Sequence, residues 1–358
     1  MPTIVADGLM PLVESLFSPF GPVTLFSERQ PSEPLLAEAE VLLVRSVTRV
    51  DEALLAKAPK LRFVGTATIG TDHIDAEALR RRGITLASAP GCNADAVSDY
   101  VLSALLNWQH EKQQPLTSLT VGIVGVGNIG SRVARRLEIL GVKVLCCDPP
   151  RAAAGFVSLA EVLAEADVVT LHVPGGPATR HLLASDELAA LKPGALLINS
   201  CRGSVIDNDA LVAWLTAGGD AVLDVFANEP EFDPRLQGLA RWLTPHIAGH
   251  SFEGKRRGTW MLYQAWCQAN GQKVDGQFAD YLPAPTIQRL SVTGLPLRAL
   301  ANLVYDIRDD DMWFRQGLMA GHSFDWLRRH YPLRREWASL QVDTPDPRAV
   351  ALGFGSLC

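Results

Sequence analysis

The feature that most narrows what this chain can fold into is a glycine run, Gly125-Val126-Gly127-Asn128-Ile129-Gly130, set between two patterned stretches. Residues 121–124 are uniformly apolar and read as a buried strand. Residues 129–140 read as a helix with Ile129, Val133, Leu137 and Leu140 on one face. At a strand-to-helix turn each glycine has a physical use. Gly125 permits the tight turn, Gly127 lets the backbone approach a pyrophosphate, and Gly130 lets the helix sit close on the strand. The helix N-terminus then presents N–H groups and partial positive charge to an anion, with Asn128 and Ile129 in the same loop. Asp148 closes the next strand, 142–147, where a carboxylate accepts hydrogen bonds from a ribose and repels a 2′-phosphate. The expected cofactor is therefore NAD, although Arg151 three residues on could welcome that phosphate.

Around this turn, strands and helices alternate. Strands are predicted at 3–6, 23–26, 41–44, 61–66 and 84–87, and again at 168–172, 195–199 and 221–225. Helices are predicted at 51–57, 75–82, 185–191 and 208–216, Ser158 with Glu161 reads as a capping box, and Gly141 is placed to end the helix of the glycine turn. Regular alternation implies parallel sheets covered by helices. With 358 residues the chain exceeds a single ordinary core. The predicted fold class is α/β with two doubly wound parallel-sheet domains, a Rossmann domain around the glycine turn and a flavodoxin-like domain before it. A helix at 94–108 links them, and another at 251–270 is expected to pack back on the first. Beyond residue 281 lie Pro283, Pro285, Arg308-Asp309-Asp310-Asp311 and several tryptophans. Leu300, Leu303, Val304, Ile307, Trp313 and Phe314 fall near helical spacing there, so this stretch reads as a small α+β domain. The predicted boundaries are 1–94 with 251–280, then 95–250, then 281–358.

Composition closes off other classes. The chain has 33 basic and 39 acidic residues, a net charge of −6 that does not suit coating a nucleic acid. No apolar run is long enough to cross a bilayer, and residues 1–10 carry Asp7 without a basic cluster, so no signal peptide is expected and the compartment reads as cytoplasm. Six cysteines, Cys92, Cys146, Cys147, Cys201, Cys267 and Cys358, form no CxxC and read as buried thiols rather than disulfides or metal ligands.

Three polar residues fall at or beyond predicted strand ends, where open α/β sheets place their ligands. They are Arg202 in Asn199-Ser200-Cys201-Arg202-Gly203, Glu229 in Asp224-Val225-Phe226-Ala227-Asn228-Glu229-Pro230, and His246 in Thr244-Pro245-His246-Ile247-Ala248-Gly249. Their chemistry is complementary. A guanidinium fork can hold a carboxylate and polarise the adjacent oxygen. A histidine can take a hydroxyl proton as hydride departs. A neighbouring glutamate favours the imidazolium and orients the ring. Taken singly, each could equally be a surface ion pair, a loop acid or a strand-end histidine.

In this order after a dinucleotide turn, these residues resemble the D-2-hydroxyacid dehydrogenase family, in which Arg, Glu and His serve as substrate clamp, histidine tuner and acid/base. One branch of that family is resembled more closely. The matching runs are Val44-Arg45-Ser46-Val47-Thr48, Phe63-Val64-Gly65-Thr66-Ala67-Thr68, Ala89-Pro90-Gly91-Cys92-Asn93, Cys147-Asp148-Pro149-Pro150-Arg151, Leu282-Pro283-Ala284-Pro285, Val304-Tyr305-Asp306-Ile307-Arg308 and Arg334-Arg335-Glu336-Trp337. The resemblance runs nearly end to end and includes the third domain, which other members of the wider family lack. It implies a phosphorylated hydroxy acid as substrate, Ser46 and Thr68 as substrate contacts, Asp148 and Val173 at the adenosine, and Ser200, Cys201, Arg202, Asp224 and Gly249 beside the cofactor. It also implies a homodimer built through the C-terminal domain. Where the family usually has Tyr after the His-x-Ala-Gly run, this chain has His250, which can still donate a hydrogen bond to a phosphate or carboxylate. The Pro174-Gly175-Gly176-Pro177 loop is shorter than usual. Arg45 is either a partner of the substrate phosphate or a sheet-edge ion pair, and His73 reads as a supporting residue. Cys201 has no base beside it in sequence and is not expected to be a nucleophile. The rival readings are a phosphoglycerate or hydroxypyruvate dehydrogenase of the same family and a non-catalytic NAD-sensing scaffold.

Overall fold

The computed structural model describes residues 1–151, 153–284, 287–291, 295–343 and 347–356; Pro285 and Cys358 lie outside them. The chain divides into two compact units, Met1–Asn93 with Ser251–Pro283, and Ala94–His250 with Ala284–Cys358.

The first unit is built on five strands, β1 (Ile4–Asp7), β2 (Val23–Phe26), β3 (Val41–Val44), β4 (Phe63–Thr66) and β5 (Thr85–Ala87). All are parallel, in the order β2-β1-β3-β4-β5, the flavodoxin-like arrangement. β1, β3 and β4 are buried at every position, as a parallel strand covered on both faces must be. The helix Phe252–Ala269 supplies one of those covers. Ser251 caps it by accepting from the Gly254 N–H at 2.9 Å. Its Trp260, Leu262, Tyr263 and Trp266 then bury against Ile4, Leu43 and Phe63.

The second unit carries six parallel strands, β6 (Thr120–Val124), β7 (Lys143–Cys147), β8 (Val168–Leu171), β9 (Leu196–Asn199), β10 (Asp220–Leu223) and β11 (Trp242–Leu243). Their order, β11-β10-β9-β8-β6-β7, reverses direction between β6 and β8, which makes the carboxyl ends of those two strands the switch point of the sheet. β11 is absent from the sequence reading because two residues carry no periodicity of their own. Gly141, at φ 74°, ends the glycine-turn helix Gly130–Ile139 in the left-handed conformation that glycine adopts without penalty. Ser158 accepts from the Glu161 N–H at 3.1 Å and so caps the helix Leu159–Glu165.

The helix Ala94–Lys112 is buried along most of its 19 residues because the C-terminal stretch covers it. Leu300, Ala301, Tyr305 and Ile307 share its core, while Phe314, Phe324 and Leu327 join the core that contains Phe226. The helical spacing read across 300–314 is interrupted. Helix Leu297–Asn302 stops, Leu303 is 53% exposed, and Asp306 starts a new helix, Ile307–Met319, by accepting from the Arg308 N–H. Three further parallel strands, β12 (Ile287–Ser291), β13 (Leu340–Asp343) and β14 (Gly355–Ser356), form a small sheet. Cys92, Cys146, Cys147, Cys201 and Cys267 are free thiols.

Candidate active site

Arg202, Glu229 and His246 occupy the loops leaving β9, β10 and β11, three adjacent parallel strands whose carboxyl ends share one edge of the sheet. His246 adopts φ 56°, a left-handed conformation costly for a residue with a side chain and characteristic of functional sites. Its N–H donates to the Asp224 carbonyl at 2.7 Å. Its Nδ1 lies 2.6 Å from Glu229 Oε2, and Glu229 Oε1 accepts from the Phe226 N–H at 2.9 Å. Burial would raise the Glu229 carboxyl, but the hydrogen bond and charge of His246 outweigh it and hold the group below its usual value. An ionised carboxylate on Nδ1 keeps a proton there and leaves Nε2 for chemistry.

Arg202 follows β9 in extended backbone, its Nη1 donating to the Cys201 carbonyl at 2.7 Å. Its stem passes over Gly175, where an added Cβ would come within 3.0 Å of Cγ. Gly203 is the closer constraint, since a Cβ there would fall 1.9 Å from the Phe226 carbonyl carbon. Only glycine lets the Arg202 loop lie directly on the loop that holds Glu229. Cys201 is buried, its thiol 3.1 Å from Asn199 Oδ1, and burial pushes that thiol up to about 11, which does not suit a nucleophile.

Asp224 works as a staple. It is 1% exposed and accepts from Thr244 Oγ1 at 2.7 Å, from the Ile247 N–H at 2.7 Å and from the Ala248 N–H at 2.9 Å. These bonds fix the turn from His246 to Gly249. Tyr100 joins them through its hydroxyl, 2.9 Å from Thr244 Oγ1.

The glycine run fits a dinucleotide on structural grounds. Gly125 (φ 91°) abuts His172 and Val173, Gly130 would place a Cβ 2.0 Å from the Gly125 carbonyl, and nothing lies within 4 Å of a Cβ on Gly127, which leaves that side open to a ligand. The N-cap position of Gly130–Ile139 is Ile129, which makes no side-chain capping bond, so the helix end is not satisfied by its own side chains. Asp148 Oδ2 accepts from the Val126 N–H at 2.8 Å, tying the acidic residue to the loop, and Arg151 stands 3.6 Å from it. Ser200 Oγ, after β9, is sealed from solvent without a hydrogen-bond partner among the described residues.

Arg45, Ser46 and Thr68 belong to the other compact unit, in the loops that follow the neighbouring strands β3 and β4. Arg45 Nε pairs with Asp7 Oδ2 at 2.9 Å, which anchors the guanidinium, and Ser46 is exposed. Thr68 Oγ1 contacts Thr66 Oγ1 at 2.7 Å, and Thr66 in turn contacts His73 Nε2 at 3.0 Å. His250 ends its segment of the second unit with its ring 6.4 Å from that of Tyr331.

Sequence reasoning passed over Arg328. Its helix, Phe324–His330, docks by setting Phe324 edge-on to Phe226 at 5.7 Å. Burial lowers the Arg328 guanidinium, and the charges that act on it include Glu229, Asp224 and Arg202. No local signal marks such a residue, since the run Arg328-Arg329-His330 in the last turn of a short helix reads as a solvated face. Among the described residues no group of three His, Cys, Asp or Glu is placed to hold a metal, and no helix is long and apolar enough to cross a membrane.

Residues 97–248 match the family described as D-isomer specific 2-hydroxyacid dehydrogenase, NAD binding domain, and residues 281–352 match a domain of unknown function, DUF3410. The chain is 45% identical over 363 residues to the erythronate-4-phosphate dehydrogenase of Pseudoalteromonas translucida, covering 98% of this chain and 97% of that one. The enzyme of the same name from Azotobacter vinelandii is 47% identical over 376 residues, with 99% of each chain covered. Among solved structures, D-lactate dehydrogenase from Aquifex aeolicus complexed with NAD and lactic acid aligns at a TM-score of 0.63 and 25% identity, over 75% of this chain and 96% of that one. The NAD-bound 3-phosphoglycerate dehydrogenase of Entamoeba histolytica shares the fold at a TM-score of 0.66 and 22% identity, over 76% of this chain and 96% of that one. The chain is a member of the D-isomer specific 2-hydroxyacid dehydrogenase family, on the branch whose curated members are named erythronate-4-phosphate dehydrogenase.

Proposed function

We propose that the protein oxidises 4-phospho-D-erythronate at C2 with NAD, giving 2-oxo-3-hydroxy-4-phosphobutanoate, a step of pyridoxal 5′-phosphate (vitamin B6) biosynthesis. The observation that carries this reading is the 2.6 Å His246–Glu229 pair at the sheet edge that also bears Arg202, in a chain alike end to end to enzymes of that name. NAD, when bound, accepts the hydride from C2. Arg202 holds the substrate carboxylate and polarises the C2 oxygen. His246 Nε2 takes the C2 hydroxyl proton, so the carbon loses a hydride and the oxygen a proton in one balanced oxidation. Glu229 faces the imidazolium thus formed and stabilises it.

Gly125, Gly127, Asn128, Ile129 and Gly130 are assigned to the pyrophosphate and Asp148 and Val173 to the adenosine. Ser200, Cys201, Asp224 and Gly249 are assigned to the remainder of the cofactor. Ser46, Thr68, Arg45 and His250 are assigned to the substrate, and Arg328 adds a half-buried cation suited to an anionic one. The stretch 281–358 is assigned as a dimerisation domain and 1–94 with 251–280 as the substrate domain, in a cytoplasmic enzyme. The dimer is supported by exposed apolar side chains in that stretch, including Leu303, Met312, Met319 and Leu333.

The test is to incubate the protein with NAD and 4-phospho-D-erythronate while NADH is recycled, and to trap the 2-oxo acid. The wild type should form it, and Arg202→Ala should abolish turnover while NAD binding persists. An NAD-dependent thermal shift without turnover would favour the scaffold reading.

A further inference from the structure

The turn that carries His246 is pinned from an unexpected direction. Arg334, in the C-terminal stretch, is 8% exposed, and its Nη2 donates to two main-chain carbonyls, Ala248 at 2.6 Å and Ala96 at 2.7 Å. Ala248 is two residues beyond His246, and its N–H is already held by Asp224 at 2.9 Å. The peptide on either side of Ala248 is therefore gripped at both ends, by a carboxylate and by a guanidinium. Ala96 and Ala248 also stand two residues inside the points, Ala94 and His250, at which the chain passes to the other compact unit. One side chain thus joins both crossing segments.

Filling space alone does not call for this arrangement. The guanidinium is taken out of water, and its Nε and Nη1 have no hydrogen-bond partner among the described residues. Unpaired buried donors of this kind forgo the hydrogen bonds they would make to water. The compensation comes from stacking over the Tyr305 ring at 3.8 Å and from the charges of the buried Asp99 and Asp310, with the Tyr305 and Tyr331 hydroxyls both donating to Asp310 Oδ2 at 2.9 and 2.8 Å. An apolar side chain of similar volume would fill the same space. What it could not do is hold two carbonyls in register.

We propose that Arg334 is a positioning residue for the oxidation, fixing the Ala248 carbonyl against that of Ala96 so that the left-handed His246 turn keeps its geometry. The inference rests on the function proposed above. Its reacting histidine would be misplaced without the clamp, and displacements of about 1 Å can cost about a hundredfold in rate.

The test compares the full-length wild type with Arg334→Met and Arg334→Lys. NADH titration counts the folded sites, steady-state kinetics with 4-phospho-D-erythronate and NAD give kcat per site and KM, and hydrogen exchange follows the Ile247 and Ala248 amides. For Arg334→Met we expect kcat per site to fall by about tenfold or more, equivalent to about 1.4 kcal/mol of barrier, with NADH affinity within about threefold and faster exchange at the two amides. Lys, able to reach one carbonyl but not both, should recover part of kcat. A merely structural role would reduce the number of NADH sites and leave kcat per site within twofold, and that result overturns the proposal. If the Met variant does not fold, unchanged kcat and unchanged exchange in the Lys variant overturn it equally. A wild type without turnover sinks the proposed function instead, while the exchange comparison still decides whether Arg334 holds the turn.

Discussion

His246 Nδ1 and Glu229 Oε2 lie 2.6 Å apart although 17 residues separate them in sequence. They meet because β10 and β11 are parallel neighbours, so the loops leaving them emerge side by side. In the proposed reaction the pair divides the work, Glu229 holding Nδ1 so that Nε2 is left to take the substrate proton. His246→Ala should lower kcat/KM by about 10²–10⁴, the usual worth of general acid–base catalysis, and leave NADH affinity near wild type. Glu229→Gln keeps a hydrogen-bonding group but removes the charge, and should cost less, about tenfold or 1.4 kcal/mol of barrier. Steady-state kinetics beside NADH fluorescence titration check both.

Gly203 should tolerate no side chain. A methyl group there would overlap the Phe226 carbonyl, which is backbone and cannot swing aside. Gly203→Ala must therefore part the Arg202 loop from the Glu229 loop, with an overpacking cost of about 1–3 kcal/mol. A lowered melting temperature together with a loss of kcat larger than the loss of folded sites is the expected outcome.

Asp148 should set cofactor choice. Its carboxylate bonds the Val126 N–H and stands beside the exposed Arg151. Asp148→Ser removes the repulsion toward a 2′-phosphate and leaves Arg151 to receive it. The NAD dissociation constant should rise by about tenfold, or about 1.4 kcal/mol, while NADP becomes usable. Parallel titrations with the two cofactors measure the change.

Much of this was legible in the sequence because its determinants are local. The glycine run, the apolar strands and the cap at Ser158 each act within a few residues, and the structure places strands and helices where those signals lie. The glycine-turn helix was read as 129–140 and spans Gly130–Ile139, a difference of a frayed end. What stayed hidden depends on distance along the chain. Nothing near Asp224 says that it will hold the Ile247 and Ala248 N–H groups, and nothing near Arg334 says that its acceptors are Ala96 and Ala248. The break at Leu303 was missed because an apolar spacing survives it; only Asp306, capping the next helix, signals the interruption.

Acidification should stabilise the second unit before it destabilises the protein. Burial raises Asp99 and Asp310 to about 6 against the pull of neighbouring arginines. Both therefore take up protons in the folded chain while their unfolded counterparts remain ionised. Between about pH 6 and about pH 4 their contribution grows as pH falls, and it is lost as pH rises through the folded value. Asp310→Asn should flatten that part of the melting-temperature profile, while Tyr305 and Tyr331 retain an oxygen to donate to. An unchanged slope would mean that Asp310 does not titrate in this range.

The most direct measurement uses 4-phospho-D-erythronate carrying deuterium at C2. Incubated with the wild-type protein and NAD, it should yield NADH with the label in the reduced nicotinamide ring, and the Arg202→Ala and His246→Ala variants should yield little. Protein that binds NADH yet returns only unlabelled cofactor, or none reduced, would contradict hydride transfer from C2 and with it the role given to Arg202, Glu229 and His246.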